Sequence, residues 1–512
     1  MRILLVVDPA RPRPWIRDFA DDLRARGFDV RRRHGVADPP STLLRLVFEL
    51  DRLLVRPGRV PPPESVTTER IAPLADADFR PDVVVDLGAT PVAVDGVPTL
   101  AIAFGGAPGE TALYAALTRD GGAPVEIYDV ATAEILERAR PSLEGASGLV
   151  AAAGTIAARA AGLLLARLVA ADEGRIRPRL AGARLAPIAP LRRTIAFRPE
   201  ALARSLARSL ARHVYHLVCR APHWRVGWRF VDGPGLADTG SFDGPAFRVV
   251  PDPGLRCFAD PFVLTWKGET HVLVEDFDHR RGKASISALR FDAAGPIGPA
   301  VPVLEVPWHL SFPHPIVLDG ELYLMPESSE RRDLTLYRCI AFPDRWEPVA
   351  TLLEGVCASD ATVIRRGERW WMFSTVEDGR GGWSDRLAIH SAPSLFGPWT
   401  PHRDVPLLVD AAAARPAGRP FERDGRLFRT VQDCSVVYGG GIDVVEVTRL
   451  DDEGYEQKPL RRIRSGPAWP GGRVHTLDRV GRLEVIDGIV PRPRWEPLNR
   501  LVEPLFAPGG ER

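Results

Sequence analysis

At 512 residues and 56.1 kDa the chain exceeds what one compact core usually holds, so about two to four domains are expected. Apolar residues make up 45% and charged residues 26%, which excludes a disordered chain. The 67 basic and 66 acidic side chains leave a formal net charge of +1, so no basic footprint suggests a nucleic-acid partner.

The five cysteines, Cys219, Cys257, Cys339, Cys357 and Cys434, are scattered and include no C-x-x-C pair. Neither a disulfide framework nor a metal site is expected from such spacing, and no cofactor is implied. The opening apolar run of five residues ends at Asp8 and Pro9, too short for a secretory signal. The apolar stretch 151–171 carries Arg159 and Arg167 and falls short of a membrane span. The expectations are a cytoplasmic address and no transmembrane segment.

Residues 1–190 alternate strands and helices. Short continuous apolar runs at 3–7, 81–86 and 98–103 have the texture of strands buried on both faces. Helical spacing covers 15–26, and an Ala-rich helix covers 149–171, giving an α/β domain with a mostly parallel sheet. A linker at 191–222 follows. Its leucines recur every four residues (Leu202, Leu206, Leu210), with Arg204, Arg208 and Arg212 on another face. Such a basic amphipathic helix, 202–218, fits either a peripheral membrane contact or a helix packed between domains.

From 223 to 495 short strands alternate with Gly, Asp and Pro turns. Five segments there share one pattern: a polar residue, a strand, a Gly turn and a second, aromatic-rich strand. Their leading residues, Asp260, His314, Asp360, Arg415 and His475, stand 54, 46, 55 and 60 positions apart. That interval accommodates four strands, the content of a propeller blade. A five-bladed β-propeller is predicted, with strands near 223–250 completing the last blade and a C-terminal tail over 496–512. Each innermost strand starts at the mouth of the axial channel, so the five leading residues should face one pocket. They form either a ligand-binding constellation or a ring of polar caps that satisfy one another.

The strings FADPF (258–262), SFPHP (311–315), SDAT (359–362), RPAG (415–418) and QDCS (432–435), followed by Tyr438 and Gly439, carry a resemblance. Together they resemble the N-terminal propeller of the glucosamine inositolphosphorylceramide transferases and its bacterial relatives. That fold is grouped with the five-bladed glycoside hydrolases of the arabinanase, xylosidase and invertase type. The resemblance implies Asp260 as base or nucleophile and Asp360 as orienter. Where those hydrolases carry a general-acid Glu on the fourth blade, this chain has Arg415. Glu327 is the candidate substitute acid, ahead of Glu275 and Glu377, because two carboxyl groups must flank a scissile glycosidic bond. His314, Arg415, Gln432, Asp433 and His475 are the candidate substrate holders, with Arg415 suited to a carboxylate or phosphate on an anionic sugar. Trp308 and Trp383 are candidate stacking faces.

The strings MRILLVVD (1–8), PDVVVDLG (81–88) and GGAPVEIYD (121–129) resemble a formyltransferase-type, Rossmann-like α/β fold. That chemistry needs an Asn–His–Asp set. The matching loop AFGGAPGE (103–110) has neither Asn nor His and only Asp129 remains, so the domain is expected to be inactive in formyl transfer. The expected function is glycosyl hydrolysis or transfer in the axial pocket, on a sugar or glycoconjugate. The alternatives are a non-catalytic glycan- or glycolipid-binding protein and, against the missing Asn–His pair, an amino-sugar N-formyltransferase.

Overall fold

The computed structural model of the protein describes residues 1–9, 13–36, 46, 49–51, 71, 73, 79–117, 124–144, 146, 148–174, 211, 214–251, 254–402, 407–469 and 472–506. The predicted amphipathic helix 202–218 lies largely outside the described residues. The chain divides into two compact units, 1–209 with 379–382, and 210–378 with 383–512.

The first unit is built on one sheet. Its strands are β1 (Arg2–Val7), β2 (Asp29–His34), β3 (Val83–Asp86), β4 (Thr99–Phe104), β5 (Ala107–Pro108), β6 (Val125–Asp129) and β7 (Ile135–Ala139), in the order β2-β1-β3-β4-β6-β7. β2, β1, β3 and β4 run parallel, and the apolar runs of β1, β3 and β4 are largely buried in the sheet. β6 and β7 are antiparallel, so the expected mostly parallel sheet is a mixed one. After β4 the chain turns back through β5, and β6 pairs with β4 from the opposite end. Helix α1 (Pro14–Ala25) buries Ile16, Phe19, Ala20 and Leu23, the 3.6-residue stripe that packs a helix on a sheet. The helix Leu149–Asp172, 24 residues containing an 18-residue stretch of mean hydropathy 1.8, is long and apolar enough to cross a membrane. Here it packs on α1 and β6, and Arg167 Nη1 reaches Glu137 Oε1 of β7 at 3.1 Å.

The second unit is the five-bladed propeller. Strands β8 (Trp224–Phe230) and β9 (Arg248–Val249) come first in the chain. Blade 1 is β10 (Arg256–Trp266), β11 (Glu269–Asp278), β12 (Lys283–Asp292) and β13 (Gly295–Leu304); blade 2 is β14 (Ser311–Leu318), β15 (Glu321–Glu327), β16 (Asp333–Ala341) and β17 (Arg345–Glu354). Blade 3 is β18 (Ala358–Arg366), β19 (Arg369–Val376) and β20 (Arg386–Ala392), edged by β21 (Thr400–Pro401) and β22 (Leu408–Val409). Blade 4 is β23 (Phe421–Arg423), β24 (Arg426–Gln432), β25 (Ile442–Asp451) and β26 (Gly454–Ile463). Blade 5 joins β27 (Leu477–Val480) and β28 (Leu483–Ile489) to β8 and β9, so strands from both ends of the unit close the ring, as the repeat predicts.

The period-2 alternation of each strand sends successive side chains to opposite neighbouring blades. Trp370 and Met372 of β19 pack toward blade 2, in a cluster with Met325, Leu334 and Leu336. Trp371 and Phe373, one residue out of phase, pack toward blade 4 with Leu427 and Val447. The aromatic-rich second strand of the repeat is thereby explained as inter-blade core. Blades 4 and 5 approach closely at Gly418 (φ 147°), where an added Cβ would lie 2.0 Å from the Leu477 carbonyl oxygen. A backbone atom cannot rotate away, so Gly418→Ala is expected to destabilise the propeller by about 2–4 kcal/mol. Urea denaturation checks this; a variant as stable as wild type would show that blades 4 and 5 separate at little cost.

Candidate axial site

Strand register fixes which residues are equivalent. In blades 1, 2 and 3 the first strand bulges at one place, between Ala259 and Phe262, Ser311 and His314, and Ser359 and Thr362. The residue inside each bulge is left-handed: Asp260 (φ 48°), Phe312 (φ 46°) and Asp360 (φ 51°). A left-handed backbone at a bulky residue is strained and persists only where surrounding contacts hold it. Asp260 and Asp360 are therefore equivalent, but their counterpart on blade 2 is Phe312.

The expected placement of His314 on the axis is corrected by this register. It stands two residues further along, with its ring 5.5 Å from that of Phe262, fully buried and hydrogen-bonded to the backbone of Val363 on blade 3. Burial, with the Arg419 charge, pushes its pKa down to about 3. Asp478 of blade 5 accepts Val263 N–H of blade 1 at 2.8 Å. Both are inter-blade fasteners.

The second strands contribute a matching ring. Ala259 pairs with Glu275, Ser311 with Glu327 and Ser359 with Thr375, while Gln432 N donates to the Arg415 carbonyl and Asp487 N to that of Thr476. Glu327 Oε2 accepts Asp360 N–H at 2.9 Å, and Asp487 Oδ2 accepts Asp260 N–H at 3.2 Å. A carboxylate on one blade thus holds the strained aspartate of the next. Glu327, the expected acid, is a buried positioning residue in this arrangement.

Asp260 is 4% exposed. Its Oδ1 accepts Thr476 Oγ1–H at 2.7 Å and its Oδ2 accepts Phe312 N–H at 3.2 Å. Glu275, 14% exposed, is hydrogen-bonded to Asp260 and has His309 Nε2 3.5 Å from Oε1. Burial raises the Glu275 pKa well above the carboxylate range, and the neighbouring Asp260, Glu327 and Asp360 charges add to this. Asp260 is raised too by burial, with His475 opposing. Both carboxyl groups are thus pushed toward their protonated forms, Glu275 the more strongly.

His475 stacks on Trp224, ring centroids 3.9 Å apart and planes within 3°, and its Nδ1 lies 2.5 Å from Asp487 Oδ2. Burial lowers its pKa, but Asp487 and Asp260 outweigh that and the net shift is upward. The ring lies between two carboxyl groups that favour its protonated form. Gly439 leaves room for this stack, since a Cβ there would meet His475 Cβ at 2.9 Å. Asp260, His475 and Asp487 also present donor atoms within 4.8 Å of one another, the spacing of a possible divalent-cation site.

Asp360, 2% exposed, accepts Arg415 Nε–H and Gln432 Nε2–H on the same Oδ2, each at 2.6 Å. Burial pushes its pKa up to about 6 even though the Arg415 guanidinium opposes this. Arg415 also donates to Ser384 Oγ at 3.2 Å and lies 4.9 Å from the Tyr438 ring centroid. The structure thus gathers Asp260, Glu327, Asp360, Arg415, Gln432 and His475 about one axis. It adds Glu275, Tyr438, Thr476 and Asp487; from sequence Glu275 is a weaker candidate acid and Tyr438 part of a motif, while Thr476 and Asp487 have no expected role. The register of the second strands is the signal that finds Glu275 and Asp487.

Three other expectations lie elsewhere. Asp433 accepts Ser435 N–H and Oγ–H and pairs with Arg464 at 2.6 Å, fixing a turn. Trp308 packs in the cluster between blades 1 and 2, with the Arg331 guanidinium 4.4 Å from its ring centroid. Glu377 lies 3.8 Å from Arg332. In the first unit Asp129 accepts Thr132 N–H and Oγ1–H, and Gly106 N–H donates to Glu126 Oε2 at 3.1 Å.

Residues 256–488 match the family model described as glucosamine inositolphosphorylceramide transferase 1, N-terminal. The chain is 31% identical over 229 residues to glucosamine inositolphosphorylceramide transferase 1 of Arabidopsis thaliana, covering 43% of this chain and 30% of that protein. It is 31% identical over 198 residues to the protein of the same name from Oryza sativa subsp. indica, covering 36% and 26%. The chain therefore spans less than a third of the length of these relatives. Among solved structures, a thermostable family-43 glycoside hydrolase is similar over 42% of this chain and 78% of its own, at 14% identity and TM-score 0.30. A family 117 glycoside hydrolase from Zobellia galactanivorans is similar over 52% and 91%, at 10% identity and TM-score 0.33.

Proposed function

We propose that the propeller binds a glycosyl unit at its axis and moves a proton to or from it, in hydrolysis or transfer. The observation that carries this reading is the neighbouring Asp260 and Glu275, buried together at the axis with Glu275 partly open to solvent, where burial pushes both carboxyl groups above the ordinary carboxylate range. Perturbed carboxyl groups gathered in one cleft are the mark of acid–base chemistry. Glu275 serves as the proton donor to the departing oxygen. Asp260, held by Thr476 and Phe312, receives the proton of the attacking hydroxyl or water. Asp360, fixed by Arg415 and Gln432, orients the sugar. The carbohydrate-handling relatives in name support the substrate class.

Charge selects among sugars. Among the described residues the five axial carboxyl groups of Asp260, Glu275, Glu327, Asp360 and Asp487 outnumber the basic groups beside them, Arg415, His475 and His309, and Arg415 is already engaged by Asp360. This supports a neutral or amino sugar rather than the anionic one expected from Arg415 alone. A second reading, binding without turnover, draws on the direct hydrogen bond between Asp260 and Glu275. Carboxyl groups that flank a glycosidic bond stand about 5–10 Å apart. No formyl transfer is proposed for the first unit, in which Asp129 is tied to Thr132.

The test is turnover and thermal-shift binding with neutral and amino sugars, their nucleotide sugars and glycolipids, in wild type and Glu275→Gln. The amide cannot donate a proton, so turnover is expected to fall by about 10²- to 10⁴-fold with binding retained. The alkaline limb of the pH–rate profile should disappear with it. Undiminished turnover in Glu275→Gln removes the acid assignment. Binding without turnover in the wild type selects the second reading.

A further inference from the structure

Away from the axis, at the seam where blade 5 meets blade 1, three soft or borderline donors converge. His223 is fully buried and immediately precedes β8, with its carbonyl accepting Val490 N–H at 3.0 Å. Cys257, 1% exposed, lies on β10 of blade 1, opposite Phe277 of β11. His279 follows β11, its own N–H donating to the Leu255 carbonyl at 3.0 Å, and is the partly exposed member. Backbone hydrogen bonds therefore fix two of the three positions. His223 Nδ1 and His279 Nε2 face each other at 2.9 Å, with ring planes within 10°. The Phe277 ring packs edge-on to His279, centroids 5.3 Å apart. With Cys257 Sγ, all three donor atoms lie within 4.8 Å of one another.

We propose that His223, Cys257 and His279 bind one zinc-type divalent ion. Two imidazole nitrogens and one thiolate are the ligand types that select zinc over magnesium or calcium. In a tetrahedral site, ligand atoms about 2.0–2.3 Å from the metal stand about 3.3–3.7 Å apart. The 2.9 Å His223–His279 pair would open to that spacing by a turn of the partly exposed His279, and the fourth position falls to water or an exogenous ligand. One member comes from the strand that closes the ring and two come from blade 1. The ion would thus clip the two blades together, and its binding energy would add to the stability of the closed propeller. C-x-x-C arithmetic finds no such site, because its ligands are 34 and 22 positions apart and meet only when the ring closes.

The experiment is titration of the chelator-treated full chain with Co²⁺, followed by zinc displacement. A near-ultraviolet thiolate-to-cobalt charge-transfer band should saturate at one ion per chain and vanish on adding zinc. It should be lost in Cys257→Ser and need at least about tenfold more metal in His279→Ala, while Cys357→Ser titrates as wild type. The Asp260–His475–Asp487 group contains no thiolate, so it cannot produce that band. His279→Ala changes a partly exposed side chain, and so keeps the test open should Cys257→Ser fail to fold. Absence of the band in wild type, or its persistence in folded Cys257→Ser, overturns the proposal.

Discussion

Arg229→Met is expected to lower the stability of the propeller by about 3–5 kcal/mol, the loss typical when one partner of a buried ion pair is removed. Arg229 on β8 and Glu484 on β28 are direct cross-strand partners, and both are at most 2% exposed. Arg229 Nε meets Glu484 Oε2 at 2.7 Å, while Nη1 donates to the carbonyls of Phe242, Asp243 and Pro245 at 3.1–3.4 Å. Glu484 Oε1 in turn accepts Leu236 N–H at 2.7 Å. Methionine fills the volume but strands a buried carboxylate and three carbonyls. Arg229→Met/Glu484→Gln should recover part of the loss, since the amide needs no counter-charge and still accepts from Leu236. Urea denaturation of the full chain measures this. A single variant within 1 kcal/mol of wild type would mean that the closing seam is held by packing alone.

The second large effect is Arg415→Met, and it depends on pH. Asp360 has a folded pKa of about 6 against 3.8 for a free side chain, because burial outweighs Arg415. Folding therefore takes up a proton between those values, and this group favours the folded state increasingly as pH falls from 6 toward 3.8. Without Arg415 the folded value rises further, so the window extends upward. The variant is expected to lose about 3–5 kcal/mol at pH 8, where ionised Asp360 has lost its guanidinium partner, and much less at pH 5. Denaturation midpoints at the two pH values test it, and an equal deficit at both would detach Arg415 from the charge of Asp360.

The five blades were legible because each repeat states strand, turn and strand in local sequence, with Gly or Asp-Gly at the tight turn. The closing of blade 5 by β8 was legible for the same reason, since four strands were needed and two were missing. The axial residues were only partly so. A bulge that turns one residue left-handed has no fixed residue type: it is Asp at 260 and 360 but Phe at 312. The polar residue nearest Pro on blade 2, His314, therefore looked equivalent to the aspartates and was two positions out of place. Glu327 and Glu275 looked alike as strand-end glutamates. Only the register separates the one that accepts Asp360 N–H from the one that hydrogen-bonds to Asp260. In the first unit the apolar runs specified buried strands, but a run of that kind does not carry strand direction, and β6 came out antiparallel.

The closing strand also sets a timetable. During synthesis Trp224–Phe230 leaves the ribosome well before its partner, from which Arg229 is separated by 255 positions. At about 5–20 residues per second the delay is roughly 10–50 s. Throughout it the nascent chain carries a tryptophan-rich edge with unpaired amides and carbonyls, open to pairing with other chains. The burden of keeping this protein from aggregating therefore falls at birth, and a chaperone that shelters the 224–230 segment has more to contribute than any later repair.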